Sequence, residues 1–139
     1  MFRNILLGVD GSVHALKAAR VAGELARTLD SDLRVAIAFD PIPSYLGEPN
    51  LQQAMSARVA EAQAALAEAL KEVGQTPRPV MNEILEGSAA EAILSVAETR
   101  KNDLIVIGSR GRGKLAGLLL GSQSTKVIQH AHCPVLVIR

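Results

Sequence analysis

Strand-like and helix-like segments alternate along this chain from end to end. Ile5-Leu6-Leu7-Gly8-Val9 is continuously apolar rather than alternating, the pattern of a strand buried on both faces. Asp10-Gly11-Ser12 is a turn, with Ser12 placed as an N-cap. The helix that follows runs to about Asp30. Its polar residues Lys17, Arg20, Glu24 and Arg27 recur at spacings of three and four, which makes a solvent stripe. Leu33–Phe39 is a second strand. Residues 40–49 hold three prolines and a glycine and read as a long irregular loop. Leu51–Val73 is rich in Ala, Leu, Glu and Gln, all good helix formers, and Gly74 is placed to end it. A third strand covers about Val80–Leu85. Ser88-Ala89-Ala90-Glu91 matches a capping box ahead of a helix to about Arg100. Asp103–Ile107 is the fourth strand, Ser122–His130 the last helix and Pro134–Ile138 the fifth strand.

Five short strands alternating with four helices imply an α/β fold, a doubly wound parallel sheet with helices on both faces. The length, 139 residues, suits one domain over residues 1–139. Such a chain buries about 68% of its unfolded surface. Ligands of open α/β sheets bind at the carboxyl ends of the strands, so the site is expected there.

Composition narrows the function classes. Net charge is +1 and aromatics are 2% of the chain, so neither a basic field nor a stacking platform points to nucleic acid. No apolar stretch reaches the roughly 20 residues of a membrane span, and the first apolar run is too short for a signal peptide. Cys133 is the single cysteine. The expectation is a cytoplasmic protein. His130, His132 and Cys133 lack the fourth ligand of a structural zinc site, and Cys133, ahead of Pro134 and a buried strand, reads as packed and inert.

Two loops carry the chemistry. One is Asp10-Gly11-Ser12. The other is the stretch from Gly108 to Gly121, continuing through Ser122, Gln123 and Ser124. Glycines let backbone N–H groups approach phosphates, and a helix start adds free N–H groups and a positive dipole end. Gly108 and Gly111 supply the first feature, and Gly121 and Ser122 the second. Arg110, Arg112 and Lys114 make the loop locally cationic. Gly108-x4-Gly113-Lys114 begins like a P-loop, but Leu115 stands where Ser or Thr would meet Mg²⁺, so that reading is rejected.

The spacing of Gly108, Gly111 and Gly121-Ser122 resembles the ATP-binding signature of the universal stress protein family. The opening Ile5–Ser12, the segment Glu86-Gly87, the strand Asp103–Gly108 and the ending His132–Arg139 are similar to that family too. The resemblance implies a sheet of order 3-2-1-4-5, ATP with Mg²⁺ as ligand, and a homodimer formed through the C-terminal strand. It implies that Asp10 sits near the ribose or the phosphates and their Mg²⁺, and that Ala38 presents backbone to adenine. It further implies that Gly108 and Gly111 line the ribose and phosphate side while Gly121, Ser122 and Ser124 hold phosphate. Gln123 departs from the small aliphatic residue that many ATP-binding members have there. The leading expectation is a nucleotide-dependent regulatory protein with at most weak hydrolysis. The alternatives are a slow ATPase or phosphotransferase, and a nucleotide-free dimeric interaction module.

Overall fold

The computed structural model describes residues 1–10, 12–109 and 121–139. Gly11, Arg110 and Gly111, together with Arg112 and Lys114, lie outside the described residues. The elements in chain order are β1 (Asn4–Val9), α1 (Val13–Leu29), β2 (Asp32–Phe39), α2 (Asn50–Val73), β3 (Met81–Glu86), α3 (Ala89–Thr99), β4 (Leu104–Gly108), α4 (Ser122–His130) and β5 (Val135–Ile138). All five strands are parallel, in the order β3-β2-β1-β4-β5.

The unbroken apolar runs follow from burial on both faces of the sheet. Ile5, Leu7 and Val9 point toward α1 and α2, in a cluster with Leu33, Val35, Leu104 and Val106. Leu6, Ala36, Ile105 and Ile107 point the other way, toward α3 and Val127 of α4. The helices are shaped to match. α1 buries Ala15, Ala18, Ala19, Ala22, Gly23 and Ala26, a face of small residues. α2 lies so close that a Cβ on Gly23 would stand 2.1 Å from the Val73 carbonyl oxygen. α2 buries Ala62, Leu66, Ala69 and Val73, spaced three and four apart on one stripe.

The predicted solvent stripe of α1 is exposed, but two of its residues also bind α2. Arg20 pairs with Glu72 at 3.0 Å. Arg27 donates to the carbonyls of Val73 and Gln75, at 2.8 and 2.7 Å. Those carbonyls lie at and just beyond the C-terminus of α2, where helical partners run out.

Local signals place most boundaries. The Ser12 hydroxyl accepts from Ala15 N–H at 3.1 Å and starts α1. The Ser88 hydroxyl accepts from Glu91 N–H at 3.3 Å, the first half of the anticipated capping box. Gly74 closes α2 with φ +73°, a conformation few other residues adopt cheaply. Several boundaries shift by about one residue from the sequence reading, and two differences carry structural content. Ser44–Leu46 forms one 3₁₀ turn inside the loop expected to be irregular. Asp103 precedes β4 instead of starting it, and its carboxylate accepts from the N–H groups of Arg3 and Asn4 at 2.8 and 3.0 Å. It thereby joins the start of β1 to the start of β4.

Candidate functional site

β1 and β4 are neighbours, with Leu7 opposite Val106. From the end of β1 the chain leaves for α1 on one face, while β4 is followed by the segment that leads to α4 on the other. The connections diverge, and a crevice opens at the carboxyl edge. A cleft lies there, and Asp10, Ala15, Ile93, Gly108, Gln123 and Ser124 are among the residues that line it.

The Asp10 turn is built by its own side chain. Oδ1 accepts from Ser12 N–H at 2.9 Å, and Ser12 in turn caps α1. A carboxylate offers about four lone-pair sites, so Asp10 keeps acceptor capacity toward a cation or a hydroxyl after giving one to the turn.

Gly108 has two reasons to lack a side chain. It lines the cleft, and α1 crosses so near that a Cβ there would sit 2.8 Å from both the carbonyl carbon and the Cβ of His14. Close packing of α1 on β4 therefore requires glycine here whether or not a ligand is bound. Behind Gly108 the backbone is stitched together. Ser109 N–H donates to the Ile138 carbonyl at 2.7 Å, and Gly121 N–H donates to the Ser109 carbonyl at 2.8 Å. Ser109 and Gly121, twelve positions apart in sequence, are thus clamped side by side at the cleft.

α4 starts at this clamp. Gly121 is its N-cap and supplies no side-chain acceptor. Thr125 is the first residue whose N–H reaches back, to the Gly121 carbonyl at 3.0 Å. The N–H groups of Ser122, Gln123 and Ser124 have no acceptor within the helix. With the helix dipole they form a positive terminus at the cleft.

The side chains of that turn have separate assignments. Ser122 is exposed. Ser124 is buried, and its hydroxyl donates to the Gly108 carbonyl at 2.8 Å. The expectation that this hydroxyl donates to phosphate meets a competing partner, since a hydroxyl has one proton. The Gln123 Oε1 accepts from Ala90 N–H at 2.8 Å, tying the start of α4 to the first turn of α3. Sequence spacing holds no signal for that bond, because 33 positions separate the two residues. The apolar wall of Ala15, Ile93 and Val127 was likewise missed, because the packing of helices on opposite faces creates it.

Among the expected site residues, Asp10, Gly108, Gln123 and Ser124 come together at this cleft. Gly121 and Ser122 adjoin it at the start of α4. Ala38 does not line it. Ala38 sits on β2 one position past Ile37, which faces Val9 across the β1–β2 pair. The expected roles of Gly11, Arg110 and Gly111 fall outside the described residues.

The other chemical groups lie elsewhere. His130 and His132 are exposed. Among the described residues, no three His, Cys, Asp or Glu side chains converge as metal ligands. Cys133 packs against the α3–α4 side of the core; burial, and then the charge of Asp103, push its thiol above the ordinary value. Also among the described residues, no helix is long and apolar enough to cross a membrane.

The architecture defines an open α/β sheet with a cleft at its topological switch point. Comparison with known proteins gives the family. The model of the universal stress protein family matches residues 1–139. A universal stress protein of Thermus aquaticus is 45% identical over 139 residues, covering 100% of each chain. Among solved structures, a universal stress protein from Lactobacillus plantarum superposes with a TM-score of 0.87 at 30% identity, covering 99% of this chain and 98% of that one. A universal stress protein in complex with cAMP superposes with a TM-score of 0.69 at 27% identity, over 97% of this chain and 95% of that one. This chain belongs to the universal stress protein family.

Proposed function

We propose that this chain, as one domain, binds ATP with Mg²⁺ in the cleft between β1 and β4 and acts as a nucleotide-dependent regulatory protein in the cytoplasm. The observation that carries the reading is the first turn of α4. Its three N–H groups without a helical acceptor adjoin a cleft that Asp10 also lines. A nucleotide needs that pairing of a positive terminus for its phosphates with a carboxylate for its metal ion or ribose. The structural relative in complex with cAMP supports a nucleotide as the ligand class.

In this reading the backbone of Gly121, Ser122, Gln123 and Ser124 holds phosphate oxygens. Asp10 orients Mg²⁺ or a ribose hydroxyl, and the bare backbone of Gly108 lets the ribose approach. Mg²⁺ usually keeps several waters and takes one or two carboxylates plus phosphate oxygens, which a single aspartate satisfies. The ion supplies charge neutralisation on the phosphates. The base extends across the end of β1 toward the backbone of Ala38. In this reading hydrolysis is at most weak. β5 ends the sheet and exposes Leu136, so a second copy of the chain is the proposed partner there.

The test is direct. The purified protein is denatured and any released nucleotide is identified by mass spectrometry; the stripped protein is then titrated with Mg-ATP by calorimetry. The expected result is saturable binding that Asp10→Asn weakens by about tenfold in the presence of Mg²⁺, the cost of one lost charged contact. No released nucleotide and no heat at millimolar ATP refute the reading.

A further inference from the structure

We propose that Gln123 is a specificity-determining residue of this cleft, its carboxamide nitrogen donating to a phosphate oxygen of the bound nucleotide. The inference rests on the nucleotide reading above and deepens it.

The argument begins with the orientation of the amide. Backbone N–H groups donate, so the atom of Gln123 that meets Ala90 N–H at 2.8 Å is the carbonyl oxygen. The bond fixes which way the carboxamide faces. Nε2, with two protons to donate, lies on the opposite side of the group and has no partner among the described residues.

The remaining donors of the cleft isolate this group. Among the described lining residues, only Gln123 and Ser124 carry side-chain donors. Ser124 has given its proton to the Gly108 carbonyl. Among the described lining residues the Gln123 amide is then the remaining side-chain donor, and it stands on the same helical turn as the N–H groups of Ser122, Gln123 and Ser124 that have no helical acceptor. In this proposal a phosphate drawn to that terminus lies within reach of the amide. A neutral donor facing an anion forms a charge-assisted hydrogen bond, one of the stronger kinds. Asp10, which also lines the cleft, is an acceptor and cannot serve that oxygen.

Two substitutions separate ligand contact from the tie to α3. Gln123→Glu keeps an oxygen for Ala90 N–H and replaces the donor with an anionic oxygen. Gln123→Met removes both atoms at similar length. Affinities for ATP are measured by calorimetry and for adenosine by ligand-observed NMR, with circular dichroism to confirm folding. The expected result is that Gln123→Glu weakens ATP by about tenfold or more and leaves adenosine within about twofold, while Gln123→Met weakens ATP less than Glu does. ATP binding by Gln123→Glu at the unsubstituted protein's affinity overturns the proposal and leaves the nucleotide reading intact. An equal loss for ATP and adenosine also overturns it, by assigning Gln123 to the tie between helices alone. Failure of the unsubstituted protein to bind ATP overturns both readings.

Discussion

Replacing Gly108 by alanine tests whether the close crossing of α1 over β4 sets the geometry of the cleft. The added Cβ would lie 2.8 Å from two carbon atoms of His14 and 2.9 Å from its carbonyl oxygen. Ordinary contact begins at 3.4 Å, so α1 must withdraw by 3.4 − 2.8, about 0.6 Å. Two of the three opposing atoms belong to helical backbone, which cannot swing aside as a side-chain tip does. Overpacking of this kind costs about 1–3 kcal/mol. At this chain length each kcal/mol lowers Tm by about 4 °C, so a fall of about 4–12 °C is expected. Gly8→Ala is the control. Its Cβ would meet Ile93 Cδ1 at 2.4 Å and Cγ1 at 2.9 Å, and Ile107 Cγ2 at 3.2 Å, a nominally worse clash, yet with side chains and no backbone. Calorimetric unfolding of the two variants should therefore rank Gly108→Ala as the more destabilised. Because the displaced turn includes Ser12, which Asp10 holds, Gly108→Ala should also weaken any ligand that uses Asp10. A Tm for Gly108→Ala equal to the unsubstituted protein's, or a larger loss in Gly8→Ala, would refute the reasoning.

Three further outcomes are expected. Arg27→Met leaves the Val73 and Gln75 carbonyls without their charged donor and should lower denaturant-measured stability by about 1–3 kcal/mol; an unchanged midpoint would show that water replaces the guanidinium at no cost. The raised pKa of Cys133 predicts alkylation by iodoacetamide slower than that of a free thiol at pH 8. It also sets a sign for stability. Below the ordinary value of 9.0 the thiol is protonated whether the chain is folded or unfolded, and as pH rises past it the unfolded chain loses its proton first, so folding weakens toward alkaline pH. Cys133→Ala should flatten that slope, and a slope that persists unchanged assigns it to other groups. Leu136→Glu places a charge on the exposed side of the edge strand and should leave a monomer by light scattering at micromolar concentration, where the proposed edge pairing predicts a dimer for the unsubstituted chain; a monomer in both cases would refute that pairing.

Local chemistry made most of the fold legible. Unbroken apolar runs such as Ile5–Val9 belong to strands covered on both sides, and the Ser12 and Ser88 caps act within three residues of themselves. The two loops proposed to hold the ligand stood out because glycine spacing and a helix start are also local features. Contacts between distant parts of the chain were decided by the tertiary structure alone. Gly108 reads in sequence as a phosphate-loop glycine, yet the crossing of His14 over β4 independently forbids a side chain there. Ser124 reads as a phosphate donor, yet its proton goes to Gly108. Gln123 reads as a departure of uncertain consequence, and the Ala90 N–H gives its oxygen a partner and its nitrogen a direction. Asp103 reads as a strand residue, and its carboxylate instead holds Arg3 and Asn4, about a hundred positions away. Hydrophobic periodicity and capping act over a few residues and are written in the order of the chain. The partners of a buried donor depend on which helix crosses which strand, and only packing settles that.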